Sequence, residues 1–166
     1  MPVQAILRFP SPRLRAVADR VVAFDEDLRQ LAADLLDTMR AAPGIGITAS
    51  HIGVSKRLVV IELSTNGPVR TYINPQITWA SDDTVSHQEG SVSMPGVLEE
   101  IARPARVRVS YQDLTGREQV EEADGLLAVC LQHEIDQLDG IFWINRLSRL
   151  KRDRLIKRFE KLRRAP

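Results

Sequence analysis

The stretch from Gly125 to Gly140, GLLAVCLQHEIDQLDG, constrains the fold of this chain more than any other segment. Its first half is almost wholly apolar and is rich in good helix formers, which predicts a buried helix. Asp124 stands at a suitable N-cap position and Gly140 at a suitable C-cap position. The rest of the chain must therefore supply apolar surfaces that enclose this helix.

A polar triplet follows the apolar run on the same predicted helix, at His133, Glu134 and Gln137. Positions four residues apart lie on one helix face, so His133 and Gln137 project together. A helix with His-Glu-x-x-His in this register presents two imidazoles to one zinc-like ion, with the Glu as general base. Here a glutamine stands in place of the second histidine, so the pattern of a metal site is present but incomplete.

Length and composition indicate one globular domain that spans residues 1–166. The chain is 43% hydrophobic and 27% charged, which is ordinary for a globular protein. Cys130 is the only cysteine, so an internal disulfide is excluded and a reducing, cytoplasmic location is expected. No apolar run approaches the roughly 20 residues of a membrane span, and we expect no membrane association.

The order of the other predicted elements favours an α+β fold with antiparallel strands. An apolar stripe at helical spacing follows Asp25, and short apolar or alternating runs further along predict strands. The predicted elements are a helix from Asp25 to Pro43, strands at Leu58–Leu63, Thr71–Ile77 and Val107–Tyr111, the central helix, and a last helix from Ser148 to about Arg164.

Three short stretches together resemble the motifs of a known family. They are GIGITASHIG (Gly44–Gly53), EGSVSMPG (Glu89–Gly96) and QHEIDQLDG (Gln132–Gly140). The sequence resembles the peptide deformylases, whose motifs are GxGxAAxQ, EGCxS and HExDH and which remove the N-formyl group from nascent bacterial proteins. The resemblance covers nearly the whole chain. It implies a peptide-deformylase-like fold, with antiparallel strands packed around the HExxQ helix and a C-terminal helix.

At the metal position the sequence departs from the family. The resemblance places Ser91, His133 and Gln137 where active deformylases have a cysteine and two histidines. A hydroxyl is a poor replacement for a thiolate, and an amide oxygen suits hard cations better than iron or zinc. Only His133 remains as a good ligand, so we expect either no metal or a weakly bound divalent one.

Most of the other machinery that the resemblance implies is retained. Glu134 stands at the catalytic, proton-shuttling position, and the backbone N–H of Val92 matches a donor that stabilises the oxyanion. Gly44 and Gly46 form the loop that lets a peptide backbone lie close. His51 replaces the glutamine that assists the oxyanion in the family.

The missing ligands predict impaired catalysis. A metal that lowers the pKa of its water from 15.7 to about 7 supplies on the order of 10 kcal/mol of activation. Glu134 alone, as a general base, supplies about 10²- to 10⁴-fold. Two alternatives remain open: an active deformylase in which His51 joins His133 around iron or zinc, or a hydrolase in which an imidazole activates Ser91 as nucleophile.

Two further residues with ligand chemistry fit a structural role better. Cys130 lies on a neighbouring face of the central helix, and we interpret it as a core residue because the family has a cysteine there without using it as a ligand. His87 lies in a polar stretch that we interpret as a solvated loop.

The C-terminal helix suggests a partner. From Arg146 to Arg164 basic residues far outnumber the two acidic ones, Asp153 and Glu160, while an apolar stripe is left to pack on the domain. Such a basic face suits phosphate backbones. We therefore expect nascent peptide N-termini and the ribosome as partners, with a solubilising tail as the alternative; the sequence leaves the oligomeric state open.

Overall fold

The structure is a computed structural model that describes residues 3–164. In chain order its elements are α1 (Glu26–Ala41), β1 (Gly46–Thr48), β2 (Leu58–Ile61), β3 (Arg70–Ala80), β4 (Thr84–Ser91), β5 (Met94–Pro104), β6 (Arg106–Gln112), β7 (Glu118–Asp124), α2 (Gly125–Leu138) and α3 (Arg149–Arg164), with three short 3₁₀ turns at Pro12–Arg15, Ala49–Ile52 and Trp143–Arg146.

Five strands form one antiparallel sheet in the order β1-β2-β3-β6-β7, and β4 pairs with β5 in a separate two-stranded sheet. The β2 residues Leu58 to Ile61 are all buried, because both faces of this strand are covered. A continuous apolar run is what such a strand requires.

Helix α2 packs across one face of the larger sheet. Its Ala128, Leu131, Ile135 and Leu138 are buried against sheet residues of β2, β3, β6 and β7. The polar residues His133 and Glu134 of the same helix line a cavity instead. The predicted buried helix is thus confirmed, and its packing on the sheet fixes the positions of those two residues.

The other two helices cover different surfaces. Leu28, Leu35 and Met39 of α1 pack on the second face of the sheet, against a cluster that includes Val60. Helix α3 inserts Leu155 and Phe159 into a third cluster with β5 and the segment before the helix, and it leaves its basic face exposed.

The predicted helix ends are confirmed in most details. Asp25 caps α1, because its carboxylate accepts a hydrogen bond from the Leu28 N–H across 3.0 Å. Ser148 lies just before α3, and its hydroxyl accepts from the Lys151 N–H across 3.3 Å. Asp124 occupies the N-cap position of α2 without a side-chain cap bond, and the C-cap is Asp139 rather than the predicted Gly140.

The β4–β5 hairpin was not predicted from the sequence. Both of its strands alternate exposed and buried positions weakly, so neither shows a clean strand pattern. The prediction that His87 lies in a loop is wrong: His87 lies in β4, opposite Ile101 of β5. Among the described residues, no helix is long and apolar enough to cross a membrane.

Candidate functional site

A cavity of about 390 Å³ lies where the Gly44–Gly46 loop, the β4–β5 hairpin and helix α2 meet. Six of the residues singled out in the sequence line it together: Gly44, Gly46, Ser91, Val92, His133 and Glu134. Much of the remaining wall is apolar and comprises Met94, Val97, Leu98, Leu126, Val129 and Cys130. The cavity is therefore an apolar pocket with a few polar groups at one place, which is the usual character of a ligand site.

Two glycines make room for this arrangement. A Cβ atom on Gly46 would lie 2.6 Å from Oε2 of Glu134, and one on Gly44 would lie 2.7 Å from Cγ1 of Val92. At both distances a side chain would force its neighbour, Glu134 or Val92, to move. Glycine at these two positions therefore lets the loop approach α2 and the hairpin without displacing two residues of the site.

His133 is held in place by Glu89 of β4. Its Nδ1 lies 2.9 Å from Oε1 of Glu89. The other ring nitrogen, Nε2, is not engaged by Glu89. Burial lowers the pKa of His133, but the neighbouring Glu134 and Glu89 carboxylates outweigh it and raise the pKa above its usual value.

The Glu89 carboxylate belongs to a buried ion network that the sequence analysis missed. Arg103 donates to both of its oxygens, across 2.6 Å and 2.9 Å, and a third Arg103 nitrogen donates to Asp136 across 2.9 Å. Arg146 donates to both oxygens of Asp136. Glu89 and Asp136 fall inside the motif stretches, and that position was the signal in the sequence that could have drawn attention to them.

Glu134 lies next to His133 and is only 4% exposed. Its Oε1 has no hydrogen-bond partner among the described residues. Burial raises the pKa of Glu134 to about 7, although the neighbouring His133 lowers it. A carboxyl group with this pKa can accept or donate a proton near neutral pH, which is what proton shuttling requires.

The Gln137 side chain is held by the N-terminal part of the chain. Its side-chain amide is buried and donates a hydrogen bond to the carbonyl oxygen of Leu14 across 2.6 Å. The amide thus ties α2 to the Pro12–Arg15 turn. The bond engages the amide nitrogen, and the structure does not place Gln137 in the described cavity wall with His133.

His51 is likewise absent from the cavity wall among the described residues. The Thr48 N–H donates to Nδ1 of His51 across 3.0 Å, so the ring hydrogen lies on Nε2, which is buried without a partner. Burial, together with the nearby His133, lowers the pKa of His51 to about 3. The ring is neutral and fixed to its own loop.

Ser91 lines the cavity, but its hydroxyl accepts a hydrogen bond from the Ser93 N–H across 3.1 Å. Within residues 3–164, no hydrogen bond joins Ser91 to an imidazole, so the geometry of an activated serine is not present. Burial raises the pKa of the Cys130 thiol to about 12, which keeps it protonated. A protonated thiol is a poor metal ligand.

These residues do not fit a transition-metal ion. A catalytic iron or zinc site takes three protein ligands, and only one imidazole faces the cavity. In the described part of the chain, no group of three His, Cys, Asp or Glu residues is placed to hold an ion.

Comparison with known proteins identifies the family. Residues 3–153 match the family model described as polypeptide deformylase. A "Peptide deformylase-like" protein of Brucella suis biovar 1 (strain 1330) is 67% identical, over 99% of this chain and 100% of that protein. A second protein of the same strain, named "Peptide deformylase", is 45% identical over 98% of this chain and 94% of its own length.

The fold agrees with this match. The crystal structure of peptide deformylase from Ehrlichia chaffeensis in complex with actinonin superposes with a TM-score of 0.92 at 37% identity, over 99% of this chain and 100% of that chain. The predicted α+β deformylase fold is confirmed. The chain therefore belongs to the peptide deformylase family.

Proposed function

We propose that this protein is a non-hydrolytic member of its family that binds the N-termini of peptides in the cavity. Members of the family use a divalent metal ion, and the donors present here do not suit one. The observation that carries the proposal is the hydrogen bond from Gln137 to the Leu14 carbonyl oxygen. It engages the side-chain nitrogen at the second ligand position, and Gln137 is not among the described residues that line the cavity with His133.

The retained part of the site supports binding rather than chemistry. The close-fitting loop at Gly44 and Gly46 and the apolar wall around Val129 are those of a pocket that can hold a methionine-like side chain. Without a metal, the general base Glu134 has no activated water to deprotonate. Peptide binding can then persist while hydrolysis is lost.

The occurrence of two relatives in one strain also supports a protein that binds peptides without hydrolysing them. Brucella suis has a protein named peptide deformylase beside its peptide deformylase-like protein, and the latter is the more similar to this chain. A cell with two proteins of this family can still deformylate peptides when one of the two has lost its metal ligands. The alternative function, an active iron- or zinc-dependent deformylase, requires ligands beyond His133.

A titration with formyl-Met peptide, followed by NMR, tests the binding proposal. Amide shifts at Gly46 and Val92 are expected, because both residues line the cavity. A peptide that begins with formyl-Asp is the matched control, and it should bind more weakly because the wall is apolar. Shifts confined to α3, or no shifts at all, would contradict the proposal.

We propose a second contact at the basic face of α3. This helix carries nine Lys and Arg residues against Asp153 and Glu160, and Lys151, Arg154 and Arg158 are exposed. A surface of this kind suits the phosphate backbone of ribosomal RNA. A cytoplasmic protein that samples nascent peptide N-termini at the ribosome is consistent with both surfaces.

A further inference from the structure

A short N-terminal segment, Leu7–Phe9, contacts the turn that carries His51 and the β4–β5 turn that lines the site, and we call it the strap. The Leu7 N–H donates to the carbonyl oxygen of His51 across 2.7 Å. The Phe9 N–H donates to the carbonyl oxygen of Ser93 across 2.8 Å. Between them, the Arg8 guanidinium donates to the carbonyl oxygen of Val92 across 2.7 Å.

The β4–β5 turn that the strap contacts is a two-residue connection. Val92 and Ser93 form it, and Ser91 and Met94 pair on either side. The Ser93 N–H is held by the Ser91 hydroxyl, and both turn carbonyls are held by the strap. Within residues 3–164 the Val92 N–H donates no hydrogen bond, so it is the one backbone donor of this turn left for a ligand.

The strap is itself firmly anchored. The Phe9 ring stacks on Phe142 with 5.7 Å between centroids and meets Phe159 of α3 edge-on at 6.1 Å. Arg163 of α3 donates to the Phe9 carbonyl oxygen across 3.3 Å. A segment fixed in this way can hold a flexible turn in one conformation.

We propose that Arg8 is a positioning residue, which fixes the Val92 turn so that its free N–H stays directed to a carbonyl oxygen of a bound peptide. A hydrogen bond from a charged guanidinium is stronger than one between neutral groups, so one exposed side chain is sufficient for this task. The inference rests on the proposed function, since it assumes that a peptide occupies the cavity. Its test therefore needs one measurement that requires no ligand.

Three variants distinguish a role of Arg8 in positioning the Val92 turn from a general contribution to protein stability. Arg8→Ala removes the bond to Val92, and Arg8→Lys keeps a charged donor. Arg13→Ala is the matched control, because Arg13 is also exposed and donates to a backbone carbonyl oxygen, that of Gly53, which does not line the cavity.

In the free protein, the ¹⁵N order parameter of Val92 should fall from about 0.85 to below about 0.6 in Arg8→Ala. That of Ser93 should fall less, because its hydrogen bonds to Ser91 and Phe9 remain. Both order parameters serve as readouts. They should stay near the wild-type values in Arg8→Lys and in Arg13→Ala. The dissociation constant for formyl-Met peptide should rise about tenfold in Arg8→Ala, the usual effect of losing a hydrogen bond to a charged group, and much less in the other two variants.

The order parameters test the role of Arg8 in the free protein, and the peptide affinity tests whether that role affects binding. Wild-type order parameters at Val92 and Ser93 in Arg8→Ala would overturn the positioning role. A mobile turn with unchanged peptide affinity would overturn it as well. A wild type that binds no formyl-Met peptide would contradict the proposed function, and the order parameters would still decide whether Arg8 fixes the turn. If Arg8→Ala does not fold, Arg8→Gln takes its place with the same expectations.

Discussion

The side-chain amide of Gln137 donates a hydrogen bond to the carbonyl oxygen of Leu14, 2.6 Å away and 123 positions earlier in the chain. Gln137 is 1% exposed, so this bond lies in the protein core. A residue at a metal-ligand position of the family therefore serves here to fasten α2 to the N-terminal region.

The first prediction follows from that bond. Gln137→Ala should lower the free energy of unfolding by about 2 kcal/mol, because it leaves a buried carbonyl oxygen unpaired. Urea denaturation measures this. Gln30→Ala is the control, because Gln30 is also a helical glutamine whose amide donates a hydrogen bond, here to the Asp34 carboxylate in an exposed position. Its replacement should change the free energy of unfolding by no more than about 0.5 kcal/mol. Equal stabilities of both variants would show that the Gln137 bond contributes nothing.

Features of this site that depend on residues close together in sequence could be predicted, and features that depend on residues far apart in sequence could not. The α2 helix and the placement of His133 and Glu134 on it follow from local periodicity, and both were predicted. The orientation of Gln137 depends on Leu14, a residue far away in sequence, and periodicity carries no information about it.

The missed elements have a similar cause. The β4–β5 hairpin buries few of its side chains, so its strands lack the alternation that identifies a half-buried strand. The Glu89–Arg103 pair forms only once that hairpin has paired, since the two residues lie on its two strands. The sequence did not determine whether the His51 ring reaches the cavity. The ring is fixed by the Thr48 N–H of its own loop, and the orientation of that loop relative to the cavity depends on the tertiary fold.

A second prediction concerns the acid stability that His51 controls. The pKa of His51 is lowered to about 3 from 6.5, so below pH 6.5 the unfolded chain binds a proton that the folded protein does not. The free energy of unfolding should therefore fall as pH drops from 6.5 towards 3, by up to about 4 kcal/mol from this group. His51→Gln should remove this dependence.

Urea denaturation between pH 7 and pH 4 measures that difference. His87→Gln, which removes a partly exposed histidine from β4, should keep the wild-type profile. Parallel profiles of wild type and His51→Gln would contradict a neutral, buried His51.

The third prediction concerns Cys130 as a substitute ligand. Its thiol pKa is raised to about 12 from 9.0, so near pH 8 the thiolate fraction is about a thousandfold lower than in the unfolded chain. Alkylation by iodoacetamide at pH 8 should be very slow in the native protein and rapid in urea. The same shift makes Cys130 lower the free energy of unfolding as pH rises from about 9 towards 12, an effect that Cys130→Ala should abolish. Rapid alkylation of the native protein would show that a thiolate is available after all.

The fourth prediction tests the basic face of α3. Binding to ribosomal RNA should weaken steeply with rising salt, because phosphate contacts release counterions. Replacing Lys151, Arg154 and Arg158 by Glu should abolish co-sedimentation with ribosomes without unfolding the domain, since all three side chains are exposed. A triple variant with three exposed arginines outside α3, Arg106, Arg108 and Arg117, replaced by Glu controls for net charge. Undiminished co-sedimentation of the α3 variant would exclude this surface as the contact.

The metal content of the purified wild type, compared with that of Ser91→Cys/Gln137→His, tests the central claim most directly. The double variant restores a Cys/His/His set together with His133, and adding His51→Gln completes the oxyanion donors that the family uses. Elemental analysis should find well under one equivalent of iron, zinc or nickel in the wild type and about one equivalent in the double variant. The triple variant should then deformylate formyl-Met peptide measurably, whereas the wild type should not. A wild type that carries one equivalent of metal and deformylates the peptide would contradict the account.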